Sequence, residues 1–401
     1  MNAVGIDVSK GKSTIAVMQP FGVIVVSPYE VAHTETELSK LAAMLKSLSG
    51  EAKVIMECTG AYHLPIAYAL QSAGLTVCAV HSLLVRRFGN NTIRKTKSDP
   101  KDALKIANYG LTHWLDLPLF TPSSDTRLML KAFSRQYDKY VKLKTTLKNN
   151  LIALTDHTFP SVNDFFTSPA RNSDGHEKWF DFFGCFWHCK CVSALSEKAF
   201  STAYRKWCTK YGYYFCAAKA KNIHNKATDH NPLMPFNDAA KALVKQAVTQ
   251  ILSISETIAA VSAEMKRLAS SLPEYPVVIE FHSVGDILAP QLIAEIGDVG
   301  RFPKKSSLVR FAGLEPVEHK SGKLIGREKI SKQGSPHLRK TLFLVVDGLL
   351  KHAPTDNPVF QFLDRKRAEG KNYYSYMTAA SAKFLRIYYA RVKEFLNKQE
   401  I

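Results

Sequence analysis

The stretch VGIDVSKGKSTIAVM, residues 4–18, decides how the N-terminal part of the chain is read. An apolar run, Ala3-Val4-Gly5-Ile6, ends on Asp7, and a second apolar run follows the break at Gly11. The same arrangement recurs in KVIMECTG, where Val54-Ile55-Met56 ends on Glu57. A charge placed directly after a buried strand is unusual, because Asp and Glu are almost never fully buried unless paired. In KSDPKDALKIA, Asp99 reads as a helix N-cap with Pro100 at the first helical position. Asp102 follows three residues on and faces the same side of that helix. Two strand ends and one helix start can meet at one sheet edge. Several carboxylate oxygens at short distance suit a hard divalent cation and two-metal phosphoryl transfer. Each acid taken alone also reads as a solvated carboxylate or a cap.

The 401 residues are enough for several domains, and 46% hydrophobic content supports sizeable cores. A net charge of +19 suggests a polyanionic partner, nucleic acid first. The N-terminus MNAVGIDVSKGK lacks a signal-peptide core, and no uncharged apolar run approaches the ~18 residues of a spanning helix, so no membrane partner is expected. Seven cysteines, five of them between Cys185 and Cys216, read as reduced thiols rather than a disulfide framework.

Strands are expected at Val4–Val8, Ser13–Met18 and Val23–Val26, the first two or three as an antiparallel meander. Helices at Glu35–Leu48 and Leu64–Ala73 alternate with strands at Val54–Met56 and Leu75–Val80. A short helix at Ser82–Phe88 precedes the acid-bearing helix Asp99–Tyr109. Strands first and then alternating β and α suggest an RNase H-like layer fold over residues 1–116.

A long helix is expected over about Ser124–Thr158, with Leu130, Tyr137, Lys144 and Leu151 repeating every seven residues beside Phe133, Tyr140, Leu147 and Leu154. A second heptad run, Asp238–Leu272, carries Val244, Ile251, Ile258, Met265 and Leu272 with Ala247, Ile254, Val261 and Leu268. Residues 117–160 and 236–273 thus form coiled-coil helices, which can pair within or between chains. Between them, residues 161–235 form a basic, aromatic, Cys-rich insert. Its stretch AYRKWCTKYGYYFCAAKAKNIHNKA suits base stacking and phosphate contact, or equally the core of a small helical module. The spacing from Cys185 through Cys189 and Cys191 matches no standard structural-zinc pattern.

The last part, residues 274–401, is helical, and SVGDILAPQLIAEIGDVGRF reads as two short helices joined by a turn, like a helix-hairpin-helix. A Gly-rich basic segment follows, with Ser321 in its loop beside Gly322. A serine there can accept a phosphoryl group while cations stabilise developing charge, although a loop serine is ordinarily a turn residue. Arg327, Lys329, Lys332, Arg339 and Lys340 are candidate nucleic-acid contacts, from their charge and nearness in sequence.

These residues resemble the Piv/MooV-like DEDD transposases of insertion sequences, of the insertion-sequence 110 type. The matching stretches are GIDVSKGKSTIAV, MECTGAYHLPIAYAL, LTVCAVHSLLVRRF and KTKSDPKDALKIA, then SVGDILAPQLIAEIGDVGRF through FAGLEPV and SGKLIGREKISKQGSPHLRKTLF. The resemblance implies a RuvC-like first domain binding Mg²⁺ (or Mn²⁺) through Asp7, Glu57, Asp99 and Asp102. It implies Ser321 as the nucleophile that takes the cleaved strand as a phosphoserine, with Ser331 and Ser335 as nearby competitors. Donor and target DNA, a structured guide RNA from the element's flank and a homo-oligomer (dimer or tetramer) are the implied partners. The acids of one subunit are implied to act beside the serine of another, in the cytoplasm at a bacterial nucleoid. The insert lies outside the family's core pattern.

The reading is therefore a site-specific DNA recombinase. One rival is a RuvC-like Holliday-junction nuclease using metal-activated water, with Ser321 structural. A second is an actin-like sugar kinase or ATPase, for which no second phosphate loop is visible. A third is a non-catalytic nucleic-acid-binding protein, which leaves the four acids unexplained.

Overall fold

In the computed structural model, β1 (Asn2–Val8), β2 (Lys12–Gln19) and β3 (Val23–Ala32) form an antiparallel meander. β4 (Ala52–Glu57) and β5 (Thr76–Val80) join it in parallel, giving the strand order β3-β2-β1-β4-β5. The structure describes every residue except 59, 89–97, 168–176, 318–319, 322–323, 326–328 and 400–401, and only the backbone of residues 317, 320–321, 324–325 and 329. The chain divides into two compact units, Met1–Pro122 and Ser123–Ile401.

In the first unit, strand alternation sorts side chains onto two faces. Val4, Ile6, Val54 and Met56 pack against α1 (Glu35–Lys46) and α2 (Leu64–Ser72). Ala3, Ile55 and Cys78 pack against α3 (Ser82–Phe88) and α4 (Asp99–Thr112). The result is a mixed α/β layer structure. β3 runs well beyond the expected Val23–Val26, through Pro28. It is the sheet's edge strand, where a missing N–H costs no ladder bond.

The second unit is built on α5 (Asp125–Thr158). Ser124 caps it by accepting from Arg127 N at 3.4 Å. The insert contributes α6 (Lys178–Cys185), α7 (Lys190–Ser193), α8 (Glu197–Tyr211) and α9 (Ala217–Asp229), and α10 (Asp238–Ser270) returns. α5 and α10 pair with each other, antiparallel, within one chain. Leu130 packs with Met265 and Leu268 at one end, and Leu151 with Val244 and Val248 at the other. Lys144, the charge in the heptad seam, reaches Glu177 of the insert at 3.5 Å.

The basic and aromatic stretch of the insert is the core of a helical module. Phe200, Tyr204, Trp207 and Cys208 are buried, with Trp207 stacked on Tyr204. Their spacing over α8 lines one helix face, and the Lys and Arg of the stretch take the other.

Beyond α10 lie α11 (Tyr275–Ile279), α12 (Leu288–Ile296) and α13 (Lys305–Phe311). The two short helices expected within SVGDILAPQLIAEIGDVGRF reduce to one, α12, followed by a 3₁₀ turn at Val299–Arg301. Gly297, at φ 68° and ψ −149°, ends α12 in a conformation essentially limited to glycine. The segment expected as a plain loop contains two short antiparallel ladders. β6 (Pro316–Val317) pairs with β9 (Lys329–Ile330), and β7 (Lys320–Ser321) with β8 (Leu324–Ile325). α14 (Pro336–His352), α15 (Pro358–Ala368) and α16 (Tyr373–Gln399) complete the unit. Among the described residues no helix is long and apolar enough to cross a membrane.

Candidate active site

At the acid edge, strand alternation puts Gly5 and Asp7 of β1 on the same face as Ala3, and Glu57 of β4 on the same face as Ile55. That face is the one α4 covers. Ile6 lies opposite Met56 in parallel register, so Asp7 and Glu57 follow on the next rung of adjacent strands. A Cβ at Gly5 would stand 2.1 Å from Ala103 O and 2.4 Å from Ala107 N. Only glycine lets α4 lie this close to β1.

The first turn of α4 arrives at the same edge. Lys12, the first residue of β2, donates to Glu30 Oε2 at 2.7 Å. That bond and the Glu30 charge hold its ammonium pKa up, and the charge of Asp99 adds to the effect. Asp99 is the first residue of α4, and Ser98 occupies the N-cap position expected for it. Asp99 and Asp102 thus sit in the first turn, at the positive end of the helix dipole. Asp7, Glu57 and Asp102 are half-buried and Asp99 is exposed.

All four acids offer hard oxygen donors, the set a divalent cation prefers over His or Cys. Among the described residues no three His, Cys, Asp or Glu side chains stand close enough together to hold one ion. Asp7 and Glu57 end adjacent strands at one edge of the sheet, and Asp99 and Asp102 begin α4 beside it.

The serine-bearing excursion belongs to the second unit. Its base is stapled by Ser331 N to Glu315 O at 2.9 Å, Lys332 N to Gly313 O at 3.1 Å and Ser335 N to Phe311 O at 3.0 Å. A Cβ at Gly334 would fall 2.3 Å from Phe311 O and 2.5 Å from Gly313 N. Two backbones therefore cross in contact there, and a side chain would drive them apart. Within the excursion, Ser321 pairs through its backbone with Leu324. The side chains of Ser321 and Lys329, and all of Arg327 and His319, lie outside the described residues.

The competing serines are engaged elsewhere. Ser331 Oγ accepts from Gln333 N at 3.4 Å. Ser335 Oγ caps α14 at Leu338 N, 3.1 Å, and donates to Glu295 Oε2 at 2.9 Å. Of the described candidate nucleic-acid contacts, Lys332 is exposed. Arg339 donates to Ala312 O at 3.0 Å and Gly334 O at 3.2 Å, and burial pushes its pKa down. Lys340 donates to Asp138 Oδ1 at 2.7 Å. Arg339 pins the base of the excursion, and Lys340 ties α14 to α5.

A polar seam along α5 has no counterpart in the sequence reading. Arg127 forms a two-pronged ion pair with Glu274, 1% exposed. Arg135 donates to both oxygens of Glu295, at 3.0 and 3.4 Å, and Glu295 is 2% exposed. Asp138 accepts from Gln291 at 3.0 Å as well as from Lys340. Burial alone would raise the Glu295 pKa, but Arg135, the Lys131 charge and Ser335 bring it below the ordinary value. The detectable signal was the spacing of Arg127, Lys131, Arg135 and Asp138, which places them on one helix face.

Comparison with known proteins bears on both regions. Residues 4–160 match the family model of DEDD-type IS110 proteins, described as transposase. Residues 276–359 match a second, described as transposase, IS116/IS110/IS902 family. A pilin gene-inverting protein of Moraxella lacunata is 24% identical over 345 residues, 85% of this chain and 80% of that protein. An insertion element IS110 uncharacterized 43.6 kDa protein of Streptomyces coelicolor is 22% identical over 173 residues, 43% of this chain and 42% of that protein. A transposase for insertion sequence element IS1111A of Coxiella burnetii is 32% identical over 104 residues, 26% of this chain and 29% of that protein.

Proposed function

The chain belongs to the IS110-type transposases of insertion sequences, and from that premise we propose that it cuts and rejoins DNA using the acid edge and Ser321. The observation that carries this reading is the convergence of Asp7, Glu57 and the first turn of α4 on one edge and one face of the sheet. The strand order and the position of α4 support a RuvC-like assignment for the first unit.

Asp7, Glu57, Asp99 and Asp102 are the residues that would hold a divalent cation, Mg²⁺ or Mn²⁺, which would supply Lewis-acid stabilisation of charge on a phosphodiester. The Ser321 hydroxyl attacks phosphorus. A bond forms between serine oxygen and phosphorus, the bond to a strand-terminal oxygen breaks, and that oxygen leaves with a proton as a DNA hydroxyl. Rejoining is the reverse attack by a DNA hydroxyl on the phosphoserine, which releases the serine. The phosphodiester is retained as an ester throughout, so no nucleotide cofactor is consumed. Donor and target are DNA, a structured RNA from the element's flank guides the choice of site, and the active species is a homo-oligomer at the nucleoid.

The test is a cleavage reaction on DNA spanning an end of the element with its flank, resolved on a denaturing gel. The wild-type protein with Mg²⁺ and RNA transcribed from the flank should yield a protein–DNA covalent adduct. Ser321→Ala should bind the DNA yet give neither cleavage nor adduct. Normal cleavage by Ser321→Ala would move the chemistry to water and to the nuclease reading.

A further inference from the structure

From the cations gathered around Glu295, we infer that Lys131 and Arg301 form a phosphodiester-binding subsite at the foot of the serine-bearing excursion. The inference rests on the reading that this unit handles nucleic-acid strands, and it names side chains that anchor one.

α5 carries Arg127, Lys131 and Arg135 at four-residue spacing, on one face of the helix. Arg127 is neutralised by Glu274. Arg135 takes up Glu295, which also accepts from Ser335, the residue that follows the stapled base at Gly334. Lys131 lies in the field of Glu295, Arg135 and Arg301, but among the described residues no carboxylate forms an ion pair with it. Burial lowers its pKa, and the two guanidinium charges lower it further against the opposing pull of Glu295.

Arg301 comes from the turn after α12. Its guanidinium lies 4.6 Å from the ring centroids of both Phe302 and Phe311 and donates to Ile296 O at 2.9 Å. The residue is exposed, and a guanidinium has five donors, of which one is used on that carbonyl. The aromatic rings fix the fork in place before any ligand arrives.

Three cations thus share one carboxylate. Among the described residues the other acid near Arg301 is Asp298, exposed and already accepting from Gly300 N at 2.7 Å. Holding a half-buried ammonium beside two guanidinium groups without its own counter-ion is costly. An arriving anion removes that cost. A phosphodiester fits the set, because its single charge and two free oxygens match an arginine fork and a lysine point charge. Such contacts position a strand without reading its sequence. A strand held here lies beside Ser335, at the root of the segment that carries Ser321.

The test uses the full chain, without divalent cation so that no cleavage occurs. Binding of a labelled DNA duplex and of a labelled single-stranded RNA is followed by fluorescence anisotropy over a range of KCl. Lys131→Gln should weaken binding evenly across sequences and reduce the slope of log affinity against log salt by about 1. Lys131→Arg should restore the slope, and Arg301→Gln should reproduce the loss. The thermal midpoint of Lys131→Gln should hold or rise, since like-charge repulsion is removed. A slope change confined to the duplex assigns the subsite to DNA, and one confined to the single strand assigns it to RNA. Wild-type binding with the same slope in both Gln variants overturns the subsite and leaves the functional reading standing. Binding lost in Lys131→Gln and not restored by Lys131→Arg makes the lysine structural and also overturns it. A wild-type protein that binds neither nucleic acid removes the reading and the subsite together.

Discussion

The acid edge of the sheet and the polar seam of α5 handle charge in opposite ways. At the edge, Asp7, Glu57 and Asp102 are half-buried and Asp99 is exposed, gathered by strand register and a helix start. Along the seam, Glu274 and Glu295 are almost wholly buried, and each is gripped by a two-pronged arginine. A buried carboxylate held by a fitted guanidinium joins helices. The carboxylates at the rim of the sheet stand at lesser depth, on strand ends and a helix start. Depth, more than residue type, separates the two sets of carboxylates.

The contrast can be broken at either side. The largest effect is expected from Asp7→Asn. If the acid edge is reactive, DNA cleavage should fall by about 10³-fold or more, the equivalent of several kcal/mol of transition-state stabilisation. Its thermal midpoint should stay at or above that of the wild type, and a large drop there would make Asp7 architectural. Arg127→Ala should do the reverse. It strands Glu274 in the interior and should cost about 3–5 kcal/mol in a urea titration, while Arg127→Met with Glu274→Leu recovers most of that loss. If Arg127→Ala unfolds like the wild type, the seam is ornamental.

Gly5→Ala probes the dependence of the edge on packing. The added methyl meets Ala103 O and Ala107 N, so stability should fall by about 1–3 kcal/mol and cleavage should fall with it as α4 shifts. Full activity in a destabilised protein would show that α4 need not sit at its observed distance. The smallest effect is a pH dependence. Glu295 has a folded-state pKa below its ordinary 4.5, so its contribution is present above that value and lost as pH falls through the folded pKa. Glu295→Gln should flatten the acid limb of stability against pH, and an unchanged limb would remove Glu295 as its source.

The acid edge was legible because its determinants are local. An apolar run ending on an acid marks a strand end, and a period of two fixes which face the acid takes. Ser98 rather than Asp99 at the N-cap position shifts one boundary without moving the acids to another face. The seam was not legible, because Arg127, Lys131 and Arg135 at helical spacing read equally as a solvated face. Their partners, Glu274 and Glu295, lie 147 and 160 residues away. The aromatic insert was ambiguous for a related reason. Tyr204, Trp207 and Cys208 have the composition of a stacking platform, and only burial assigns them to a core. The ladders around Ser321 are two residues per strand, too short for alternation to show. The close backbone crossing at Gly313 and Gly334 leaves no mark in sequence beyond the glycines themselves.

The pairing of α5 with α10 also has a mechanical side. α5 has 34 residues, which at 1.5 Å each make a rod of about 50 Å. One end is embedded beside Leu268 and Leu272, and the other carries the aromatic module around Leu151. A rod fixed at its root multiplies angle into travel. Tilting it by about 10° at the root displaces the tip by about 9 Å, more than the spacing of neighbouring phosphates along one strand. A small rotation at the root therefore becomes a large displacement of the aromatic module.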